Sequence, residues 1–319
     1  MIEVMVKSKV VETADIAVFE LARADGGSLP PFSAGAHIDV QAGPGLLRQY
    51  SLCNDPGEQH RYLIGVLRDP NSRGGSRSLH DNVREGAVLQ VSEPRNHFPL
   101  VKGSSYLLFA GGIGVTPILC MAERLRTTDA PFTMHYCCKS SDRAAFHRHI
   151  AASDYASRVH FHFDDGADAQ RLDVATAIPR WSPDLKDAHL YVCGPGGFID
   201  FIVEAAKVAN WPAENVHLER FSAQPVISEN DATFSVKLAS TGKIFQIPAD
   251  RTVTQALADH GIAVPVSCEQ GVCGACITRI LEGMPDHRDA YFTDEEHALN
   301  DQFTPCCSRS KSTLLVLDL

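Results

Sequence analysis

Short runs of alternating apolar and polar residues fill positions 1–100 of the 319-residue chain. They are Met1–Lys9, Ala17–Leu21, His37–Val40 and Arg61–Val66, separated by turns rich in Gly, Pro and Asp. Alternation with a period of two buries one face of a strand, and several short strands between such turns predict an antiparallel β-barrel or sandwich. The rhythm changes after the proline-bounded segment Ser92–Pro99. Ser105–Ala110 is continuously apolar, as a strand covered on both faces of a parallel sheet must be. Strand-like and helix-like patterns then alternate: a helix from Thr116 to Arg126, a strand over Phe132–Cys137, a helix over Asp142–Ala152, strands over Val159–Phe163 and Leu190–Cys193, and a helix over Phe198–Ala209. His217–Phe221 closes this α/β region, and the polar, proline-containing Ser222–Asp231 reads as a linker. Alternation returns at Phe234, Val236 and Leu238 and at Ile244, Phe245 and Ile247, flanking the turn Ser240–Lys243, and predicts a hairpin. Thr252–His260 predicts a short helix stopped by Gly261, and Leu314–Leu319 a last strand. Three domains are therefore expected, over residues 1–101, 102–224 and 225–319, with no internal repeat.

Composition narrows the class. An apolar fraction of 44% supports cores of this size, and a charged fraction of 21% is ordinary. A net charge of −10 argues against nucleic-acid binding, which needs a basic footprint. No stretch reaches the roughly 20 apolar residues of a membrane span, and Met1–Lys7 does not resemble a signal peptide. Ten cysteines without a secretory signal point to the reducing cytoplasm, with thiols used for a metal or cofactor.

The cysteines carry the most specific pattern. Cys268, Cys273, Cys276 and Cys306 are spaced C-x4-C-x2-C-x29-C, the plant-type ferredoxin spacing that holds a [2Fe–2S] cluster on four thiolates. Gly271, Gly274 and Ala275 keep the loop small enough to wrap a compact inorganic core. A structural zinc site would repeat a short Cys-x2–4-Cys pair, and here the second pair is absent. Cys307 competes with Cys306 for the fourth place, which goes to Cys306 because it follows Thr304-Pro305.

Three further motifs suit bound nucleotides. In Arg48-Gln49-Tyr50-Ser51-Leu52, strand periodicity puts Arg48, Tyr50 and Leu52 on one face, where a ring could stack and a phosphate be neutralised. Gly74-Gly75-Ser76 precedes a short helical pattern to Val83, with Ser76 as its expected cap, and such a helix start is an anion nest. Gly111-Gly112-Ile113-Gly114-Val115-Thr116-Pro117 follows the apolar strand, with Thr116 expected to cap the next helix and Pro117 in its first turn. It is not the Rossmann G-x-G-x-x-G. Cys193-Gly194-Pro195 also lies at a strand's carboxyl end, so both glycine turns should line one cleft.

The order R-x-Y-S-L, G-G-S, G-G-I-G-V-T-P, C-G-P and ferredoxin cysteines resembles the phthalate dioxygenase reductase family, which includes vanillate demethylase reductases. Leu281-Glu282-Gly283, Asp286-His287-Arg288-Asp289 and Cys306-Cys307-Ser308-Arg309 extend the resemblance over essentially the whole chain. It implies a multidomain fold: an antiparallel flavin β-barrel, an α/β parallel-sheet NAD domain of ferredoxin-reductase type and an α+β β-grasp [2Fe–2S] domain. It implies FMN, NADH and the cluster as cofactors. Arg48, Gln49, Tyr50, Ser51, Gly65, Val66, Leu67, Gly74, Gly75, Ser76 and Phe221 are then expected at the FMN. Gly111, Gly112, Gly114, Thr116, Pro117, Cys193, Gly194 and Pro195 are expected at the NAD, with Ser51, Thr116 and Cys193 at the reacting centre. It also places the fourth cluster ligand at Cys306. By resemblance, the chain oxidises NADH, splits the hydride at FMN and passes single electrons through the cluster to a separate oxygenase of Rieske non-haem iron type. No pattern for a mononuclear iron site is evident. Two other readings remain open: an FAD-type ferredoxin reductase fusion serving a P450 or diiron oxygenase, and a non-enzymatic ferredoxin-like carrier. Cys307 stands where an aliphatic residue is expected, and the pair Cys137-Cys138 has no assigned role. Lys139 and Arg143 could meet a 2′-phosphate, while Asp164 and Asp165 follow the next strand. Glu269, Gln270 and Val272 are the expected docking surface for the partner.

Overall fold

A computed structural model describes residues 1–43, 46–70, 74–221 and 231–319. The chain divides into two compact units, Met1–Glu219 and Arg220–Leu319. The two regions separated at about residue 101 thus share one compact body, and the expected boundary at 224 lies outside the described residues.

The first unit begins with β1 (Ile2–Val11), β2 (Ile16–Arg23), β3 (His37–Gly43), β4 (Leu46–Ser51), β5 (Tyr62–Leu67), helix α1 (Gly75–Asn82) and β6 (Val88–Val91). The strands form an antiparallel sheet in the order β4-β3-β6-β1-β2-β5. A bridge between Leu52 and Ile64 joins its two edges, so the sheet curls into a barrel. Inward positions Val4, Val6, Phe19, Leu21, Ile38, Val40, Leu52 and Ile64 are buried together, which is what the alternation demanded. The Lys9 ammonium donates to the Leu79, His80 and Val83 carbonyls (3.1, 2.5 and 2.9 Å) at the carboxyl end of α1, a favourable place for a cation.

Next come β7 (Ser105–Gly111), α2 (Val115–Thr127), β8 (Phe132–Cys138), α3 (His147–Ala151), β9 (Val159–Phe163), α4 (Val174–Ala177), β10 (Ala188–Cys193), α5 (Gly196–Val208) and β11 (Val216–Glu219). Their sheet is parallel, ordered β11-β10-β7-β8-β9. The order reverses between β7 and β10, whose carboxyl ends therefore bound a crevice. No helix among the described residues is long and apolar enough to cross a membrane.

Three local expectations are corrected. Residues 142–152 are not one helix: Phe146 adopts φ +60° between a 3-10 turn and α3. Its ring is buried and its N–H donates to Glu12 (3.1 Å), so tertiary anchoring overrides the local pattern. Ser76 does not cap α1. Gly74, at φ +104°, occupies the cap, and Ser76 Oγ accepts from Asp69 N–H (3.3 Å). Thr116 does not cap α2 either. It lies in the second position, after Gly114, and donates to the Ile113 carbonyl (3.1 Å).

The second unit contains β12 (Phe234–Leu238), β13 (Ile244–Ile247), α6 (Val253–Ala258), β14 (Thr278–Glu282), β15 (Pro285–Asp286), α7 (Asp294–Leu299), β16 (Gln302–Phe303), β17 (Arg309–Ser310) and β18 (Leu314–Leu317). The main sheet runs β13-β12-β18-β14-β16, with β18 parallel to β12 in its middle. This is a β-grasp, its core formed by Val236, Ile247, Leu257, Phe303, Leu315 and Leu317. Buried Arg309 donates to the Arg251, Ala232 and Pro248 carbonyls (2.8, 3.1 and 3.0 Å), tying the cysteine segment to the hairpin.

Two buried histidines, His37 and His135, and half-buried His217 should make the fold acid-sensitive. Burial, then the neighbouring His97, His162 and His189, push His37, His135 and His217 down to about 4. The unfolded chain then binds more protons than the folded one below pH 6.5, so this stability is complete above about pH 6.5 and lost as pH falls towards 4. For well-buried His37 the shift corresponds to about 3 kcal/mol at the acid end. The melting temperature should drop between pH 6.5 and 5, before most carboxylates titrate, and His37→Gln should flatten that slope in calorimetry.

Candidate functional site

Three groups of residues gather the candidate chemistry, two in the first unit and one in the second. On the barrel, β3 pairs with β4 so that Val40 faces Arg48 and His37 faces Ser51. Arg48 and Tyr50 share a face, and Gln49 turns to the other, where its amide lies 3.1 Å from His37 Nε2. The Arg48 stem crosses the start of α1: a Cβ on Gly75 would lie 2.5 Å from Arg48 Cγ. A guanidinium is thereby laid beside the first amides of a helix, an arrangement suited to a phosphate monoester. His80 Nε2 lies 2.9 Å from the Val66 carbonyl, fastening α1 to β5.

β5 then meets the second group. A Cβ on Gly65 would lie 2.8 Å from Thr116 Cγ2, so the barrel strand bearing Gly65, Val66 and Leu67 abuts the start of α2 directly. The two glycine turns also interlock. A Cβ on Gly114 would lie 2.3 Å from the Cys193 carbonyl oxygen, and one on Gly194 would lie 2.9 Å from Gly111 Cα. Gly111, Gly112, Gly114, Thr116, Pro117, Cys193, Gly194 and Pro195 thus come together where the sheet order reverses, with the starts of α2 and α5. Such a crevice, floored by backbone and helix N-termini, suits a dinucleotide. Arg143 is engaged with Asp15 (2.7 Å), while Lys139 is exposed. Cys137 and Cys138 end β8, and burial pushes both thiols up, to about 12 and 11. They are not activated nucleophiles.

Cys193 is fully buried, and burial followed by nearby Glu219 holds its thiol well above the usual range. Glu219 sits beside it in register on β11. Its Oε2 has no hydrogen-bond partner among the described residues, and burial pushes its carboxyl up to about 8. Only the β10–β11 register brings it to Cys193. The folded chain holds a proton here that the unfolded chain releases from about pH 4.5. The contribution is complete below that pH and lost as pH rises through about 8. Glu219→Gln, matching the neutral form, should therefore gain stability over wild type by a margin that widens from pH 5 to pH 8, at about 2–4 °C per kcal/mol in melting temperature.

The third group is the cysteine loop. Cys268, Cys273, Cys276 and Cys306 are all buried in the second unit. Cys268 is within side-chain reach of Cys273 and Cys306, and Cys306 of Cys268, Cys276 and Cys307. Gln270 N–H points at Cys268 Sγ (3.3 Å), and Cys268 and Ala275 N–H at Cys273 Sγ (both 3.5 Å). Four crowded thiols with amides aimed at sulfur fit a thiolate-held cluster, whose charge such donors stabilise. Cys307, in reach of Cys306 alone among the four, has its Sγ 3.2 Å from Thr304 Oγ1. The loop has no spare room: a Cβ on Gly271, at φ +72°, would lie 2.4 Å from Cys307 Sγ. Glu269 adopts φ +54° within it. Phe221 belongs to this second unit, beside the 222–230 segment that lies outside the described residues.

Residues 236–311 match the 2Fe-2S iron-sulfur cluster binding domain family. The chain is 54% identical to a vanillate O-demethylase oxidoreductase of Pseudomonas sp. (strain HR199 / DSM 7063), over 100% of both chains. It is 40% identical to the phthalate dioxygenase reductase of Burkholderia cepacia, covering 98% of this chain and 96% of that one. Among solved structures, "Phthalate dioxygenase reductase: a modular structure for electron transfer from pyridine nucleotides to [2Fe-2S]" superposes with a TM-score of 0.79 at 39% identity, over 99% of this chain and 97% of that one. With a barrel, a parallel-sheet crevice and a β-grasp carrying the four thiols, the chain belongs to the phthalate dioxygenase reductase family of oxidoreductases.

Proposed function

We propose that the chain is the reductase component of a multicomponent aromatic-ring oxygenase or O-demethylase system, oxidising NADH and delivering single electrons to a separate Rieske non-haem iron oxygenase. When bound, a flavin between a nicotinamide and a [2Fe–2S] cluster converts a two-electron donor into two one-electron deliveries. The chain's own residues then position rather than react. Arg48, Gly74, Gly75 and Ser76 hold the FMN phosphate, while Tyr50, Ser51 and the Gly65–Leu67 backbone border its ring. Gly111–Pro117 and Cys193–Pro195 seat the pyridine nucleotide, so that Ser51, Thr116 and Cys193 surround the reacting atoms. Cys268, Cys273, Cys276 and Cys306 ligate the cluster. Residues 1–101, 102–224 and 225–319 correspond to these three tasks.

The observation that carries this reading is the abutment of Gly65 and Thr116, which sets a barrel strand against the mouth of the glycine crevice. Two sites built on separate sheets share a wall there, as hydride transfer between two bound rings requires. Rapid mixing of the holoprotein with NADH tests it. The flavin absorbance should bleach first and the iron–sulfur bands follow. Flavin bleaching with iron–sulfur bands that never respond would overturn the proposed route.

A further inference from the structure

We propose a second metal site in this chain, separate from the cluster thiols, for a first-row divalent cation of the zinc class, held by His287, Asp289 and His297. The spacing His-x-Asp-x7-His is not by itself a metal signature, because α7 has to fold back before His297 reaches the other two. In the structure one ligand atom from each lies within 4.8 Å of the others. His297 Nε2 is 3.2 Å from Asp289 Oδ2, and His287 Nδ1 is 3.8 Å from Asp289 Oδ1. The two imidazoles stack at 4.3 Å between centroids. A tetrahedral ion with ligands at about 2.0–2.2 Å separates them by about 3.3–3.6 Å, close to these spacings.

A ligand is also called for by what is missing around His287. Its side chain is 9% exposed, and neither ring nitrogen makes a hydrogen bond among the described residues. The Asn300 side chain and the His297 backbone lie nearby, but neither makes a hydrogen bond to it. A buried imidazole with both nitrogens unpaired is costly unless something polar fills the gap. Asp289, by contrast, is already oriented. Oδ2 accepts from Tyr291 and Phe292 N–H (3.2 and 3.0 Å), and Oδ1 accepts from Ser308 Oγ (3.2 Å). Such outer contacts hold a metal-ligating carboxylate in place. The intervening Arg288 points elsewhere, to Asp231 and Asp286, and leaves the pocket's charge to Asp289.

Two imidazoles and one carboxylate select against magnesium and calcium, which prefer oxygen, and suit zinc with water in the fourth position. His297, 23% exposed, is the side open to entry. Occupancy would staple α7 to the 286–292 segment, and that segment lies on the cluster loop through Ala290 N–H to the Gly271 carbonyl (3.0 Å).

The test uses the holoprotein with its cluster intact, washed with EDTA and desalted. It is titrated with zinc chloride against a chromophoric chelator, with zinc and iron per chain counted by mass spectrometry. One zinc per chain with iron unchanged is expected, and His297→Ala should weaken it at least about 100-fold while keeping its iron. Cobalt(II) on the wild-type protein gives a reading independent of any variant: a high-spin signal is expected by electron paramagnetic resonance, with imidazole nitrogen modulation in its spin echo. No uptake, equal uptake by His297→Ala, or zinc gained only as iron is lost would each overturn the site.

Discussion

Cys306→Ser should lose its iron–sulfur absorbance and reduce cytochrome c with NADH at least about 100-fold more slowly, because a [2Fe–2S] core needs all four thiolates. Cys307→Ser should keep both. The contrast is sharp because the two cysteines are adjacent. Cys306 reaches Cys268 and Cys276, whereas Cys307 is turned to Thr304 and packs against Gly271. Flavin reduction by NADH should survive in both variants, since the barrel and the glycine crevice belong to the other compact unit. Iron per chain, the visible spectrum and stopped-flow flavin bleaching together check the prediction. A Cys307→Ser variant without iron and a Cys306→Ser variant with iron would reverse the ligand assignment.

Gly114→Ala should slow NADH-driven flavin reduction by about 100-fold, the usual consequence of misplacing a reacting group by about 1 Å. The added methyl would lie 2.3 Å from the Cys193 carbonyl oxygen and 2.4 Å from its carbon. Both are backbone atoms of a strand end held between β7 and β11, so no side chain can swing aside to relieve the clash. The crevice must open, and it carries Thr116 and Cys193 with it. Gly197→Ala is the matched control. It lies in the first turn of α5 beside the same crevice, yet its Cβ would meet nothing within 4 Å. Its rate should stay near wild type, and stopped-flow traces of the two variants make the comparison. Equal rates for Gly114→Ala and wild type would show that the two turns do not act as one site.

Much of the fold was legible because periodicity reports burial directly. Ser105–Ala110 read as a covered parallel strand and is one, extended to Gly111. The failures came where distant contacts outweighed local preference. The 142–152 pattern is helical in isolation, but burying Phe146 and holding its N–H on Glu12 breaks it. Hydroxyls at Ser76 and Thr116 looked like caps, yet glycines before both helices take the capping positions and release those side chains to other partners. β14 to β17 and α7 carry no clear local periodicity and are held by partners elsewhere in the chain.

By itself the sequence determined which chemistry the chain carries. Four cysteines at ferredoxin spacing, glycine turns after apolar strands and an Arg-x-Tyr-Ser strand are local patterns, each set by covalent spacing and backbone freedom. Only the tertiary structure decided which of these meet. The Gly65–Thr116 abutment, the locking of Gly114 against Cys193, and the approach of Glu219 to Cys193 all depend on strand order and register. The approach of His297 to His287 and Asp289 depends instead on where α7 packs. Strand order and register are settled by packing among residues far apart in the chain, a cooperative result that no single stretch encodes.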